Sequence, residues 1–432
     1  MATDRWIHTR SFTMRRRTSL TRRGAIGSGL GLATLATSMQ RATAVEDPES
    51  RVQGAAQPVA QDYVVVTRTP DKRICTCGPG LVRLPGGDLL ATVPFWPQKA
   101  RELTTEVHLA RSSDGGRSWE QLPPLPYFTA TPWVHDRALY LFTHRVGREF
   151  RNDDLVLLRS DDGGQTWSEP VTLFHGHYWN CPTGIVVKYG RVYRAFDQLD
   201  VSGRAERVAA GDLGSDLMDP RNWRISNAVA FPGVPQTLIR PGTRGNSRWL
   251  EPNVVDVAGR MILISRVEVA AMTTAGIAGV CDLSDDGNEL HLKFTQFYPI
   301  PGGQNKLHVI HDPVSKLFWT PATLVTDSQG QFGFCRAARQ RGEFAGSGGN
   351  ERRILILMYS LDALNWFQAG CIAMTPKLRQ SFMYACPLID GEDLCILSRT
   401  SFDARDQHDA DLCTFHRISN FRRLALDILP EV

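Results

Sequence analysis

The stretch SSDGGRSW at residues 112–119 recurs 48 residues later as SDDGGQTW at residues 160–167. Both copies follow the pattern S-x-D-x-G-x-[ST]-W. In such a pattern the aspartate can accept backbone N–H bonds within a turn, glycine permits backbone angles that other residues resist, and tryptophan packs beneath the hairpin. A spacing of this length is typical of one four-stranded blade of a β-propeller. The repeat therefore predicts a propeller fold.

Weaker versions of this turn follow at four later places. They lie at residues 215–223, 283–288, 360–366 and 416–421. From about Gln61 onward, apolar β-rich runs alternate with Gly, Pro, Asp and Asn, and no amphipathic helical pattern exceeds two turns. Six turn sites predict an all-β, six-bladed propeller over residues 61–432. We expect it to close by pairing of residues 63–67 with the last blade, at 394–398 and 412–418.

The charge of the chain is unevenly distributed. The 432 residues include 49 Lys and Arg against 45 Asp and Glu, a net charge of +4. Eight arginines and one aspartate lie within residues 1–44, so the remainder has 41 basic and 44 acidic residues. This balance argues against a nucleic-acid partner. The apolar fraction of 42% is ample for a large core.

Residues 1–44 have the features of a twin-arginine signal peptide. TRRGAI at 21–26 precedes a moderately apolar run at 24–39, and ATA at 42–44 fits an A-x-A cleavage site. A transmembrane anchor is the alternative, but the run is short and rich in Gly, Ser and Thr. We therefore predict a periplasmic or secreted bacterial protein with a linker at 45–60 and no stable membrane insertion after cleavage.

The nine cysteines do not form a disulfide framework, because their number is odd and their spacing is irregular. Cys75 and Cys77 are too close together for ordinary zinc spacing. We predict buried thiols, no required metal and no cofactor.

The repeated turn resembles the Asp box of sialidases, and three later segments extend that resemblance in the family's order. They are WLEPNVVDVAGR at 249–260, ERRIL at 351–355 and FMYACPLIDG at 382–391. The resemblance implies that Tyr384 is the catalytic nucleophile and that Glu251 is its base. It also implies that Arg266, with Arg352 or Arg353, binds the carboxylate of the substrate.

Chemistry explains why these residue types occur together. A sialoside has a carboxylate on its anomeric carbon, which a cluster of guanidiniums can bind through paired hydrogen bonds. A carboxylate nucleophile would be repelled by that group, whereas a neutral tyrosine is not. Because tyrosine has an unperturbed pKa near ~10, it needs a neighbouring base and flanking arginines.

The sequence departs from the sialidase pattern at three places. The first carboxylate-binding arginine corresponds to Arg73, which lies several residues too early and lacks the proline that follows in the family. The loop at 94–102 contains no aspartate to act as acid/base, and Glu102 is its one candidate substitute. The acid near the end of the tyrosine hairpin is replaced by a serine and Arg399.

Four further residues are candidates for substrate binding at one mouth of the propeller. They are His177, His308, His408 and Arg399. The segments at 399–401 and 407–410 are similar to uncharacterised bacterial sialidase-like propellers. The three histidines lack short metal-ligand spacing, and ordinary structural roles compete with substrate contact.

The sequence predicts an exported retaining exo-glycosidase of the sialidase superfamily. Its partner would be a glycan that ends in a carboxylate-bearing sugar, with sialic acid as the default. A uronate-directed lyase or glycosidase on the same propeller is one alternative, favoured by the missing aspartate and the added histidines. A non-catalytic carbohydrate-binding propeller is the other, and the fold alone does not choose among them.

Overall fold

The computed structural model describes residues 57–97, 104–144, 154–239, 247–269, 276–326, 340, 351–404 and 406–429. The predicted signal peptide, most of the predicted linker and Glu102 lie outside these ranges. Within them, no helix is long and apolar enough to cross a membrane. Helical structure there includes three short 3-10 turns, at Pro220–Asn222, Gln236–Leu238 and Phe421–Leu424.

Strands follow one another along the chain and form antiparallel sheets, starting from an N-terminal strand. That strand is β1 (Val64–Arg68). Blade 1 contains β2 (Cys75–Thr76), β3 (Gly80–Arg83), β4 (Leu89–Trp96), β5 (Glu106–Ser112) and β6 (Glu120–Leu125). Blade 2 contains β7 (Phe128–His135), β8 (Ala138–His144), β9 (Leu155–Ser160) and β10 (Val171–Phe174).

The next two blades differ in the continuity of their first strand. Blade 3 contains β11 (Tyr178–Trp179), β12 (Ile185–Lys188), β13 (Arg191–Gln198), β14 (Ala205–Asp212), β15 (Trp223–Ile225) and β16 (Val229–Ala230). Blade 4 contains β17 (Arg248–Val257), β18 (Arg260–Glu268), β19 (Ile277–Asp285) and β20 (Leu290–Pro299).

The last two blades complete the ring. Blade 5 contains β21 (Ile310–His311), β22 (Phe318–Leu324), β23 (Ile354–Ser360) and β24 (Phe367–Met374). Blade 6 contains β25 (Ser381–Asp390), β26 (Asp393–Ser401) and β27 (Leu412–Ile418), with β1 as its fourth strand. The six sheets confirm the predicted all-β, six-bladed propeller.

The first strands of the blades surround the propeller axis. Strand β3 contacts both β25 and β7, and β12 contacts β17, so first strands meet from blade to blade. Behind them, apolar side chains of neighbouring sheets form the core in layers between blades. This arrangement directs the loops and bulges at one end of the first strands toward a common centre.

The ring closes through the N-terminal strand, as the sequence predicts. Strand β1 pairs antiparallel with β27, and Val64 lies opposite Phe415. Val66 is 3% exposed and packs in a cluster shared by blades 6 and 1, whereas its neighbour Val65 is 43% exposed. The pairing covers an edge of blade 6 that would otherwise be open.

The two repeated turns have the hydrogen bonds that their pattern predicts. Asp114 Oδ1 accepts bonds from the backbone N–H groups of Arg117 (2.9 Å) and Ser118 (3.0 Å). Asp162 accepts from the equivalent N–H groups at 3.0 and 2.9 Å. The Ser118 hydroxyl and these N–H groups hold the pKa of Asp114 well below its usual range. Asp362 forms a similar turn in blade 5.

The closure can be tested by placing a charge on each side of β1. We expect Val66→Asp to lower the free energy of unfolding by about 3 kcal/mol or more, because it buries an unpaired carboxylate. Val65→Asp adds the same charge at an exposed position and should change it by about 0.5 kcal/mol or less. Urea unfolding of both variants would measure this difference, and equal destabilisation would contradict a tightly closed ring.

Candidate active site

Three first strands carry the same local distortion near the axis. Thr129 in β7, Glu251 in β17 and Tyr384 in β25 have φ angles of 56°, 61° and 51°. Each lies where the register with the second strand of its blade shifts. A left-handed residue other than glycine costs roughly 1–3 kcal/mol and persists only where its surroundings fix it. The distortion recurs in blades 2, 4 and 6, and two of its three members are predicted catalytic residues.

A second position recurs in the same blades. In each of these blades, the residue just before the left-handed one pairs with a basic residue on the second strand. That basic residue is His144 in blade 2, Arg266 in blade 4 and Arg399 in blade 6. Burial lowers the pKa of His144 to about 3, so that ring is neutral at pH 7. The arginines stay charged. Blades 4 and 6 thus each supply one distorted residue and one guanidinium.

Arg266 joins Glu251 to Tyr384. Its Nη1 donates to Tyr384 Oη at 2.9 Å and to Glu251 Oε2 at 3.1 Å. Its Nε donates to the carbonyl oxygen of Gln304 at 2.8 Å, and its Nη2 donates to Glu268 Oε1 at 3.3 Å. Arg266 is 2% exposed, and each of its three guanidinium nitrogens donates a hydrogen bond. The guanidinium therefore holds the Glu251 carboxylate and the Tyr384 phenol next to each other.

Two further guanidiniums flank the ring of Tyr384. The Cζ atoms of Arg352 and Arg399 lie 5.4 and 5.2 Å from the ring centroid. Arg352 Nη1 donates to the sulfur of Met383 at 3.2 Å, and Arg399 Nη2 donates to the backbone oxygen of His408. In the described part of the chain, neither guanidinium has a hydrogen bond to a carboxylate. Burying an unpaired charge is expensive, so this pair favours an anionic ligand.

The phenol of Tyr384 is neutral at rest. Burial and the charge of Glu251 raise its pKa, although the three arginines act in the opposite direction. Burial lowers the pKa of Arg352 to about 10, which still leaves it charged at pH 7. Glu251 Oε1 is buried and has no hydrogen-bond partner among the described residues. The group therefore combines a protonated phenol, a carboxylate and uncompensated positive charge.

Two predicted carboxylate-binding residues lie outside this buried group. Arg353 forms an ion pair with Glu351 and is half-buried, so Arg352 is the member of the adjacent pair that contacts Tyr384. Arg73 has a side chain that is 53% exposed and forms an ion pair with Asp71 at 2.7 Å. It lies within a tight turn, closed by the bond from Ile74 N–H to the Asp71 carbonyl oxygen, ahead of β2. Arg399, predicted only as a possible substrate contact, is the third guanidinium beside the tyrosine.

The predicted histidines lie in three different places. His408 has its backbone oxygen bound to Arg399, and burial with the charge of Arg399 lowers its pKa to about 4. His308 lines a cavity of about 170 Å³ that the first strands enclose, and its Nδ1 has no partner among the described residues. His177 is exposed just before β11. Of the three, only His408 contacts the arginine group.

Several residues that support the site carry no strong sequence signal. Lys306 is buried and donates to the carbonyl oxygen of Ala385, next to the tyrosine, at 3.0 Å. A Cβ atom on Gly78 would lie 2.7 Å from Cys181 Sγ and 3.3 Å from Tyr384 Cδ1, so only glycine allows this approach. Gly78 lies between β2 and β3 of blade 1 and Lys306 lies ahead of β21 of blade 5, so neither belongs to the segments that resemble sialidases. No group of three His, Cys, Asp or Glu residues in the described ranges is arranged to hold a metal.

No protein-family model and no curated protein matches this sequence. Solved structures do match. Trypanosoma rangeli sialidase in complex with sialic acid aligns with a TM-score of 0.56 at 14% identity, over 86% of this chain and 60% of its own. A protein of unknown function from Dyadobacter fermentans DSM 18053 aligns with a TM-score of 0.53 at 12% identity, over 84% of this chain and 100% of its own. The fold is that of the sialidase propeller.

Two other matches carry different sugars. A second structure of the trypanosomal sialidase contains 2,3-difluorosialic acid as a covalent intermediate, with a TM-score of 0.56 at 13% identity, over 86% of this chain and 61% of its own. An α-L-arabinanase of Penicillium chrysogenum, complexed with arabinobiose, aligns with a TM-score of 0.49 at 14% identity, over 84% of this chain and 99% of its own. At these identities the likeness to the sialidase structures establishes the fold alone, and this chain spans about 60% of the sialidase.

The electrostatics of the site can be tested through the ionisation of Tyr384. We expect Glu251→Gln to lower its pKa, because a neighbouring negative charge is removed, and Arg352→Met to raise it, because a positive charge is lost. The measurement is an ultraviolet titration of tyrosinate, in which each variant is compared with the same variant carrying Tyr384→Phe. Arg353→Met is the matched control and should leave the pKa unchanged. Shifts of the opposite sign would contradict the geometry.

Proposed function

We propose that this chain is a retaining exo-glycosidase of the sialidase superfamily that removes a terminal acidic sugar, with sialic acid as the default substrate. One observation carries the proposal. A buried arginine holds the Glu251 carboxylate and the Tyr384 phenol on the same nitrogen, while Arg352 and Arg399 flank the phenol with no hydrogen-bonded carboxylate among the described residues. Export, as the sequence predicts it, would bring such an enzyme to external glycans.

The residues suggest a division of roles. Arg352 and Arg399 would bind the carboxylate of the sugar, since guanidinium offers paired, permanently charged donors. Arg266 is already bound to Glu251 and Glu268, so it would complete the anion site while it orients the other groups. Although burial opposes it, the charges of Arg266 and Arg248 hold the pKa of Glu268 at about 2, so Glu268 remains a counter-charge.

The proposed reaction proceeds in two steps. The phenol proton of Tyr384 passes to Glu251 as the tyrosine oxygen forms a bond to the anomeric carbon, and the bond to the leaving oxygen breaks. A general acid donates a proton to that oxygen. Water then attacks the anomeric carbon and gives a proton to the conjugate base of that acid, the bond to Tyr384 breaks, and the phenol regains its proton from Glu251. A neutral phenol avoids the repulsion that a carboxylate nucleophile would meet from the carboxylate of the sugar.

The role of Tyr384 can be tested with an α-linked sialoside that releases a fluorescent aglycone. We expect Tyr384→Phe to lower turnover by at least about 1,000-fold, since the nucleophile is lost. Tyr359→Phe is the control, because it removes another buried hydroxyl, which accepts the Leu426 N–H. Treatment with 2,3-difluorosialic acid should add the mass of the sugar to the peptide that contains Tyr384. Full turnover by the Tyr384→Phe variant would refute the assignment.

The anion site can be tested separately from the nucleophile. We expect Arg352→Met and Arg399→Met each to raise KM for the sialoside about 10- to 100-fold, because charge-assisted hydrogen bonds contribute about 1.5–3 kcal/mol. Arg353→Met changes the adjacent residue, which forms its ion pair with Glu351, and should leave KM close to the parent value. If all three variants have the same KM, the substrate carboxylate is not bound here.

A uronate-directed lyase is the second candidate, and the position of His408 favours it. Its backbone oxygen accepts a bond from Arg399 and its ring Nδ1 lies 2.9 Å from Asp409 Oδ1, so an imidazole and a carboxylate-binding guanidinium belong to the same group. Such an enzyme would remove a proton from a carbon next to the carboxylate. The distinguishing measurement is formation of an unsaturated, ultraviolet-absorbing product from uronic-acid glycans. Specific glycan binding with neither hydrolysis nor this product would support a non-catalytic binding propeller.

A further inference from the structure

Glu251 adopts a strained backbone conformation that is held partly from a neighbouring blade. Its φ of 61° lies in the left-handed region, and the register between β17 and β18 is interrupted between Leu250 and Asn253. In blade 6, the residue before the left-handed one, Met383, donates its N–H to the Ser398 hydroxyl of the same blade at 3.1 Å. In blade 4, the backbone N–H of the left-handed residue itself, Glu251, donates to a residue of the neighbouring blade.

That neighbour is Asp197 on β13 of blade 3. Its Oδ1 accepts the Glu251 N–H at 2.8 Å, and its Oδ2 accepts a bond from Arg204 Nη1 at 2.6 Å. The Asp197 side chain has no solvent exposure, whereas that of Arg204 is 18% exposed. A charge-assisted bond to a backbone N–H is stronger than a neutral one. Asp197 is thus well placed to hold the chain at Glu251 in its left-handed turn.

A second buried acid accompanies Asp197. Glu206 lies directly opposite it on β14 and is also fully buried. Burial and the charge of Asp197 raise the pKa of Glu206 well above its usual range, which favours its protonated form. Burial also raises the pKa of Asp197, while Arg204 opposes this change. The titratable groups whose charges act on Asp197 include Arg194, Arg204, Glu206 and Glu251.

We infer that Asp197 is a positioning residue for Glu251. Its carboxylate, bound to Arg204, fixes the strained backbone turn that aims the Glu251 side chain at Arg266 and Tyr384. The preference of Glu206 for its protonated form limits repulsion between the two acids and leaves Asp197 as the acceptor. The inference deepens the proposed function and rests on it for the catalytic role of Glu251. It assigns a function to an ionic pair of blade 3 that bonds to the backbone of blade 4.

The test is a double-mutant cycle with Asp197→Asn and Glu251→Gln in the full chain. In the parent background, we expect Asp197→Asn to lower kcat about 10- to 100-fold with KM within about twofold, because misplacing a catalytic group by about 1 Å has such an effect. In the Glu251→Gln background, the same change should alter kcat less than about twofold. Equal losses in both backgrounds would overturn the inference.

A second readout does not depend on turnover. If Asp197→Asn displaces the Glu251 carboxylate, the pKa of Tyr384 should fall, as is expected for Glu251→Gln. In the double variant, the pKa of Tyr384 should fall no further. If Asp197→Asn leaves the pKa of Tyr384 unchanged, the inference is wrong. A parent protein with no turnover of sialosides would refute the proposed function, and the tyrosine titration would still decide the role of Asp197.

The matched control is a second buried carboxylate that is bound to an arginine away from the site. Asp312 has no side-chain exposure and accepts bonds from Arg422 Nε and Nη2 at 2.7 and 2.9 Å. Asp312→Asn should lower stability but leave kcat and the pKa of Tyr384 unchanged. If Asp197→Asn does not fold, Arg204→Gln can be used instead, because it keeps the Asp197 carboxylate but removes the guanidinium that holds it. That variant should show the same non-additivity with Glu251→Gln, and additivity would again overturn the inference.

Discussion

The candidate site depends on one buried guanidinium that is shared by two blades. Arg266 belongs to blade 4, yet one of its nitrogens donates both to Glu251 of its own blade and to Tyr384 of blade 6. Without this cation, Glu251 would be a buried carboxylate without a counter-charge, which is strongly unfavourable. The bonds to Gln304 and Glu268 fix the orientation of the guanidinium. The relative position of base and phenol is therefore set by the packing of blades around the axis.

Strain and charge are distributed around the ring in a regular way. Blades 2, 4 and 6 each contain one left-handed residue on the first strand and one basic residue type paired next to it. Blade 2 has the neutral pair Thr129 and His144, whereas blades 4 and 6 have charged or ionisable pairs. Blades 1 and 3 have a first strand broken into two pieces, which leaves room for Gly78 to approach the tyrosine ring. The same architectural position thus carries different chemistry in different blades.

Much of the fold could be predicted from the sequence, because its signals are local. The aspartate turns recur at the spacing expected of one blade. The closing strand β1 is an apolar run that has no neighbouring segment in the sequence to pair with. The segments that contain Glu251, Arg266 and Tyr384 could be found because each keeps its local pattern. The structure brings these three together, and their catalytic roles remain a proposal.

Other parts of the site could not be predicted, because they depend on contacts between blades. Arg352 and Arg353 are adjacent just before a strand, and which of them faces the axis depends on where that strand begins. Arg73 matched the family by its Arg-Ile dipeptide but lies several residues too early, and the turn that contains it directs it to Asp71. Asp197 lies in a strand whose residues are nearly all buried, and its bond to Glu251 crosses from one sheet to the next. No pattern within either strand reports such a bond.

The strand that closes the ring also determines when the molecule can be completed. Val64 pairs with Phe415, so β1 remains an unpaired ribbon until nearly the whole chain has been synthesised. Contacts between such distant residues carry a large loop-closure entropy and form late. Tyr384 and Arg399 belong to that same last blade. Tyr384 and Arg399 therefore join Glu251 and Arg266 of blade 4 only late in synthesis, and a partly synthesised chain has blades but no complete site.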